Sequence, residues 1–238
     1  MKGIILAGGK GTRLRPLTLV TSKQLLPVYN KPMIYFPLET LMQAGIKEIL
    51  IIVAPDHAGD FLKLLGSGKE FGCDFSFEVQ EEARGLADAF LVGEKFIDND
   101  SVTMILGDNL YEDDFSQAIQ SFKSGGRVFA KQVPDPERFA VVEFGENNKV
   151  LSIVEKPQKP KSEYAVTGLY IFDNTVVSKA KKLTPSARGE IEIVDIQNAY
   201  LRDGQLDVAF VSGQWFDTGT FEAMYQATNF IRDRQLTK

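Results

Sequence analysis

Residues 6–18 read Leu-Ala-Gly-Gly-Lys-Gly-Thr-Arg-Leu-Arg-Pro-Leu-Thr, and this stretch restricts the fold more tightly than any other. It follows an apolar run, residues 3–6, which reads as a buried strand starting almost at the N-terminus. A strand that breaks into a glycine loop bearing arginine brings backbone amides and a fixed cation to phosphates. Glycine lacks a Cβ, so Gly8, Gly9 and Gly11 allow positive φ and a close approach of N–H groups to anionic oxygens. Arg13 and Arg15 add charges that do not titrate, on a planar fork that matches phosphate geometry. Two common phosphate signatures fail here. A P-loop needs Gly-x-x-x-x-Gly-Lys-Ser/Thr and a dinucleotide fingerprint needs Gly-x-Gly-x-x-Gly, and neither spacing is present. Kinase-type ATP use and nicotinamide cofactors lose weight accordingly.

The remaining sequence alternates strand and helix signals in its first half. Strand patterns fall at residues 3–6, 48–53, 75–80 and 102–106, with helical patterns at 33–44, 57–65 and 86–96. That alternation implies an α/β fold with a parallel sheet covered on both faces, in which ligands bind beyond the carboxyl ends of the strands. Both the glycine loop and Asp108 fall at that edge. Phe115, Ala118, Ile119 and Phe122 form an apolar stripe on a helix after Asp108. The pattern then changes to closely spaced strands at 127–133, 139–144, 149–155 and 166–172, with a turn at 145–148, which fits an antiparallel extension. Helices are expected at 175–183, 190–202 and 220–232, and a strand at 207–211. No repeat or linker breaks the chain. One continuous domain is expected, with a nucleotide-handling half (about 1–125) and a second, closing half (about 126–238).

Charge and composition narrow the partners. The formal net charge of −5 argues against a general affinity for nucleic acid or an anionic membrane, so any phosphate site must be a local gathering of Arg and Lys. A single cysteine, Cys73, excludes an internal disulfide and reads as a small buried hydrophobe. A single histidine, His57, excludes a His-based metal cluster. No run reaches the ~18 apolar residues of a membrane helix. With a strand beginning at once, no room remains for a signal peptide, and a cytoplasmic location is expected.

Lys23, in Ser22-Lys23-Gln24-Leu25-Leu26-Pro27, offers a compact charge able to follow a moving phosphate. Asp108 and Asp217 each sit at an expected strand end beside glycine or Thr-Gly. Two such carboxylates suit Mg²⁺, which takes one or two carboxylates plus phosphate oxygens. Helix caps or turns are the plain alternative for either one alone. A glycosidase carboxylate pair is the competing chemical reading, and it explains neither the basic loop nor Lys156. Glu155-Lys156-Pro157 ends an expected strand, where neighbouring side chains face opposite sides. Arg188 precedes an expected helix and lies within reach of an anion near its N-terminus.

The order of these motifs resembles that of the sugar nucleotidyltransferases. The matching segments are 6–13, Ser-Lys-Gln-Leu-Leu-Pro at 22–27, Lys-Pro-Met-Ile-Tyr at 31–35, Leu-Gly-Asp-Asn at 106–109 and Asp-Pro-Glu-Arg-Phe at 135–139. Val-Glu-Lys-Pro at 154–157, Tyr-Ala-Val-Thr-Gly-Leu-Tyr at 164–170, Pro-Ser-Ala-Arg-Gly-Glu at 185–190 and Asp-Thr-Gly-Thr at 217–220 complete the set. The resemblance implies a Rossmann-like three-layer sandwich with a mainly parallel central sheet and a smaller antiparallel sugar-binding subregion. It implies that dTTP and glucose 1-phosphate are joined to give dTDP-glucose and pyrophosphate, with Mg²⁺. Catalysis would rest on Arg13, Lys23, Asp108 and Lys156, with the metal on Asp108 and Asp217. The nucleotide would meet Leu6, Gly8, Gly9, Gly11, Thr12, Gln24, Gln80 and Gly85, the last pair of these at the thymine edge. The sugar phosphate would meet Asn109, Ala140, Glu155, Lys156, Val166 and Arg188.

The family pattern has glycine where this chain has Ala140, and the extra methyl is expected to alter sugar preference by ~1–3 kcal/mol without removing activity. The chain also resembles the short form, lacking the C-terminal helices that build an effector site in longer relatives. A homo-oligomer, tetramer or dimer, is implied. Two rivals stand beside this reading. One is uridylyl transfer, or another sugar phosphate, on the same fold. The other is a non-catalytic nucleotide-sensing subunit, which would be expected to lose Asp108, Asp217, Lys23 or Lys156; all four are present.

Overall fold

The computed structural model describes residues 1–146 and 149–236. The chain opens with strand β1 (Lys2–Ala7), a ribbon of β2 (Pro27–Val28) and β3 (Lys31–Pro32), and helix α1 (Tyr35–Gln43). There follow β4 (Glu48–Val53), α2 (Ala58–Leu65), β5 (Asp74–Val79), α3 (Asp88–Val92), α4 (Glu94–Ile97), β6 (Val102–Leu106), β7 (Asn109–Tyr111) and α5 (Ser116–Gln120). The second half contains β8 (Gly126–Gln132), β9 (Ala140–Phe144), β10 (Val150–Glu155), β11 (Tyr164–Phe172), α6 (Thr175–Ala180) and α7 (Ile193–Arg202). It ends with β12 (Leu206–Phe210), β13 (Trp215–Asp217) and α8 (Phe221–Leu236).

Nine of these strands form one sheet among the described residues, in the order β10-β9-β11-β6-β1-β4-β5, with β8 on β11 and β12 on β8. The run β6-β1-β4-β5 is parallel throughout. These strands are buried on both faces, which is why β1 and β4 read as unbroken apolar runs. Alternate residues feed two cores. Ile4, Leu6, Leu50 and Ile52 pack with Phe90, Val176, Ile196 and Tyr200 beneath α3, α6 and α7. Ile5, Ile49, Ile51 and Val53 pack with Leu38, Leu41, Phe61 and Ile119 beneath α1, α2 and α5. Three layers result, as the α/β reading requires. A third cluster of Val28, Met33, Phe36, Leu110 and Ala227 seats α8.

The antiparallel part extends the same sheet. β11 pairs with β8 along one edge, from Tyr164↔Gln132 to Phe172↔Gly126, with its register shifting between Val166 and Tyr170. Its opposite edge is shared: Leu169 to Phe172 pair with β6, and Ala165 pairs with β9. The sheet therefore forks at Thr167-Gly168, and a gap opens between β6 and β9 at the carboxyl edge of the parallel strands. The β9–β10 hairpin is antiparallel, with Glu155 opposite Ala140. Asn147 and Asn148 of the turn expected at 145–148 lie outside the described residues; its flanks close through the Gly145 amide on the Lys149 carbonyl, 2.8 Å.

One expectation needs correction, and one pairing was not expected. The single helix at 86–96 is two short helices meeting at Gly93, where a Cβ would lie 3.1 Å from Leu50 and 3.2 Å from Ile4. The helix breaks where the chain presses onto the sheet. The three-residue strands β7 and β13 have too little length to show a period, so their pairing has no local signature.

Candidate active site

Short-range backbone pairing brings two distant carboxylates together. Beyond β6, the Gly107 amide donates to the Leu6 carbonyl at 2.9 Å, extending the β1 ladder to the residue before Asp108. β7 then pairs with β13, placing Asn109 opposite Asp217. The Thr218 amide and hydroxyl both donate to the Asp108 carbonyl, at 2.9 and 2.7 Å. Asp108 and Asp217 are 109 positions apart, yet main-chain bonds fix their separation. That is firmer than any side-chain tether.

Lys23 supplies the counter-charge, with its Nζ bonded to Asp108 Oδ2. Burial opposes ionisation of Asp108, but the Lys23 ammonium and hydrogen bonds from Lys23 and Asn109 hold its carboxyl below the usual range. Asp217 is shifted the other way. Burial, then the Asp108 charge beside it, raises its pKa; Lys23 and Arg13 offset this only in part. The Arg13 guanidinium lies over Gly219, where a Cβ would come within 2.6 Å of Nη2. A side chain at 219 would push the tip of Arg13 aside.

These groups line one cleft of ≈ 380 Å³ together with Leu6, Gly8, Gly9, Gln24, Gln80, Gly85, Asn109, Ala140, Glu155, Lys156, Val166 and Arg188. Gly11 and Thr12 are not in its wall. Gly11, at φ +60, turns the loop into the short helix Thr12–Leu14, and its carbonyl accepts from Thr18 at 2.7 Å. Arg15 is exposed and also outside the wall, so of the two loop arginines only Arg13 faces the cleft.

Gln80 and Gly85 form a second loop feature. Gly85 has φ +105, and a Cβ there would sit 2.4 Å from the Ile191 carbonyl oxygen. Ile191 is held on both sides: its amide donates to the Arg84 carbonyl at 2.6 Å, and its carbonyl accepts from the Ala87 amide at 3.2 Å. The loop at 80–88 is thereby joined to the segment bearing Arg188.

At the other end, alternation fails in an informative way. Lys156 has φ +43, a region uncommon for a side-chain-bearing residue. This turn sends Lys156 to the same side as Glu155, with Nζ 3.5 Å from Glu155 Oε1, and both line the cleft. Strict alternation would have separated them. Arg188 is gripped by carboxylates: Nε and Nη2 donate to Glu192 at 3.2 and 2.9 Å, and Nη2 to Glu155 at 3.3 Å, with Glu190 3.6 Å away. Its pKa is raised; partial burial works against the charge, and Glu192 first among the carboxylates outweighs it.

Several lining residues were missed: Arg138, Phe139, Thr167, Gly168, Tyr170, Glu192 and Trp215. Trp215 Nε1 and the Gly168 amide both donate to Asn109 Oδ1, at 2.6 and 3.2 Å, so the Asn109 carbonyl is already used within the protein. Phe139 packs on Trp215 with centroids 5.1 Å apart. The signal available was aromatic residues next to named motifs. Ala140 is nine-tenths buried in the wall, where the altered contact was expected.

A deep cleft at the carboxyl edge of a parallel sheet, holding two cationic groups near paired carboxylates and two more across the fork, defines a nucleotidyl transferase. The model of the Nucleotidyl transferase family matches residues 2–234, and the chain belongs to that family. It is similar to "Glucose-1-phosphate thymidylyltransferase" of Neisseria meningitidis, 54% identical over 241 residues, which span 99% of this chain and 84% of that protein. The protein of the same name from Mycobacterium tuberculosis H37Rv is 48% identical over 237 residues, 98% of this chain and 82% of its own. A crystal structure from Bacillus anthracis, assigned to the same enzyme and in complex with a sucrose, matches with TM-score 0.94 and 48% identity, covering 98% and 96% of the two chains. A UDP-glucose pyrophosphorylase complexed with UDP-glucose shares the fold, at TM-score 0.86 and 24% identity over 98% of each chain.

Proposed function

We propose that the chain transfers a thymidylyl group from dTTP to glucose 1-phosphate, giving dTDP-glucose and pyrophosphate. The observation that carries this is the two-ended cleft: Arg13 and Lys23 at one end and Lys156 and Arg188 at the other, with Asp108 and Asp217 at the first. Two phosphate-bearing substrates need two cationic ends. The first half of the chain handles the nucleotide and the second half the sugar.

In this reading a phosphate oxygen of the sugar phosphate attacks the α-phosphorus in line and pyrophosphate leaves. Arg13 and Lys23 neutralise the triphosphate and the departing pyrophosphate. Lys156 and Arg188 hold the attacking phosphate, while Glu155 and the Val166 backbone meet sugar hydroxyls. Positioning and charge stabilisation supply the rate, since the protein forms no covalent bond to the substrate. The Asp217 pKa is raised by burial and by the Asp108 charge beside it, and two close carboxylates that disfavour each other's ionisation are a donor set that a hard divalent cation suits. Asp108 and Asp217 would hold Mg²⁺, which when bound neutralises charge at the phosphates. Among the described residues no helix is long and apolar enough to cross a membrane. A homo-oligomer belongs to the same reading.

The test is pyrophosphate release with Mg²⁺, crossing dTTP, UTP, CTP, ATP and GTP with glucose, galactose and glucosamine 1-phosphates. Fastest release with dTTP and glucose 1-phosphate is expected. A different preferred sugar would retain the chemistry and implicate Ala140; no release with any pair would overturn it.

A further inference from the structure

Asp88 lies outside every role described above, and it is completely buried at the start of α3. Its two oxygens are divided. Oδ1 accepts from Arg84 Nη2 at 2.8 Å, and Oδ2 accepts from Gln80 Nε2 at 2.8 Å. The Gln80 amide therefore has no freedom to turn, because a flipped amide would set its carbonyl oxygen against a carboxylate. The same nitrogen lies 3.5 Å from the Gly85 carbonyl, so a flip would oppose two acceptors. The Gln80 backbone is fixed as well, its amide donating to the Val53 carbonyl at 2.9 Å. What remains is Oε1, which accepts from no group among the described residues. It points toward the glycine loop, within 2.9 Å of where a Cβ on Gly8 would stand, and both Gly8 and Gln80 line the cleft.

We propose that Asp88 is a specificity-determining positioning residue, which locks the Gln80 amide so that the cleft meets a bare acceptor and selects a pyrimidine with an imide N–H over cytosine. This rests on the nucleotide reading above, in which Gln80 faces the base edge. Thymine and uracil present a donor at N3. Cytosine presents a lone pair there, and lone pair against lone pair leaves a buried acceptor unpaired. The lock does not separate thymine from uracil, which share the imide.

The isosteric variant Asp88→Asn tests the lock. The Arg84 guanidinium claims the only remaining oxygen of the new amide, leaving its NH₂ toward Gln80. Gln80 then turns Oε1 inward and its NH₂ toward the cleft, the arrangement that suits cytosine. The measurement is kcat/KM for dTTP and for dCTP with glucose 1-phosphate, on wild-type and variant protein with matched unfolding transitions. The dTTP-to-dCTP ratio is expected to fall at least about tenfold, with KM for glucose 1-phosphate unchanged. A purely structural role for Asp88 would lower both rates together and keep the ratio, and that result overturns the proposal. Should Asp88→Asn not fold, Arg84→Met alters a half-exposed side chain and leaves Asp88 buried without its counter-charge. With Oδ1 released from Arg84, the Asp88 carboxylate loses its fixed orientation toward Gln80, and the ratio should fall again; an unchanged ratio overturns the lock. A wild type that turns over neither nucleotide overturns the reaction as well; one that turns over with an unmoved ratio in the variants overturns this inference alone.

Discussion

The two ends of the cleft reach similar chemistry by different structural means. At the nucleotide end, Asp108 follows directly from a strand buried on both faces, Asp217 is pinned beside it by main-chain bonds, and Lys23 is already paired. At the sugar end, Lys156 stands on an uncommon backbone turn with its side chain half exposed, and Arg188 is held by three glutamates on a loop. One end is preorganised by the sheet. The other is held by ion pairs between side chains, which a phosphate bound as proposed would have to displace. In the proposed reading, rigid scaffold and adaptable loop thus divide between the transferring group and the acceptor.

Breaking the rigid end should have the largest effect. Asp108→Asn is expected to lower Mg²⁺-dependent turnover by about 10³-fold while the protein stays folded, since the site loses fixed charge at the phosphates. Turnover near the wild-type rate, measured as pyrophosphate release, would remove Asp108 from the metal assignment. At the adaptable end, Lys156→Met should raise KM for glucose 1-phosphate by about 10- to 100-fold and leave KM for dTTP almost unmoved, the loss of a charge-assisted hydrogen bond. A shift in both constants would mean the ends are not separable.

The comparison sharpens further at Asp217. Its raised pKa means that the folded protein binds a proton there more tightly than the unfolded chain, so stability is lost as pH rises through the folded pKa. Asp217→Asn should therefore stabilise the ligand-free protein at pH 7, by about 1 kcal/mol or ~2–4 °C in Tm, while depressing turnover. The gain should vanish below the ordinary aspartate range near pH 4, where Asp217 is already protonated. Asp108 has the opposite sign: its depressed pKa contributes stability above the ordinary range that is lost as pH falls through the folded value. A gain at Asp217→Asn that is the same at every pH would refute the account in which burial and the Asp108 charge raise the Asp217 pKa. The smallest effect is expected from Ala140→Gly: a change of about tenfold or less in preference among sugar 1-phosphates, with dTTP kinetics retained.

Much of the rigid end was legible from residues alone. Strands 48–53 and 102–106 coincide with the observed β4 and β6, because two-sided burial writes a plain apolar run into the sequence. The glycine loop after β1 was legible for a similar reason, as glycine spacing is a backbone demand. What stayed hidden depends on contacts between distant segments. No local pattern reveals that three-residue strands bring Asp217 to Asp108, that Lys156 turns onto the side of Glu155, or that Gln80 is held by Asp88. The helix at 86–96 was overextended because its apolar spacing is sound; the close approach at Gly93 that ends it is tertiary.

Ile191 ties one loop of the cleft to another. Its amide and carbonyl are both bonded into the loop at 84–87, and no side chain larger than hydrogen fits at Gly85 between them. Arg188 is only three residues away on the same segment. A substrate that shifts one of these two segments therefore shifts the other. Binding at the two places is then linked, and thermodynamic linkage requires whatever effect each substrate has on the other's affinity to be equal.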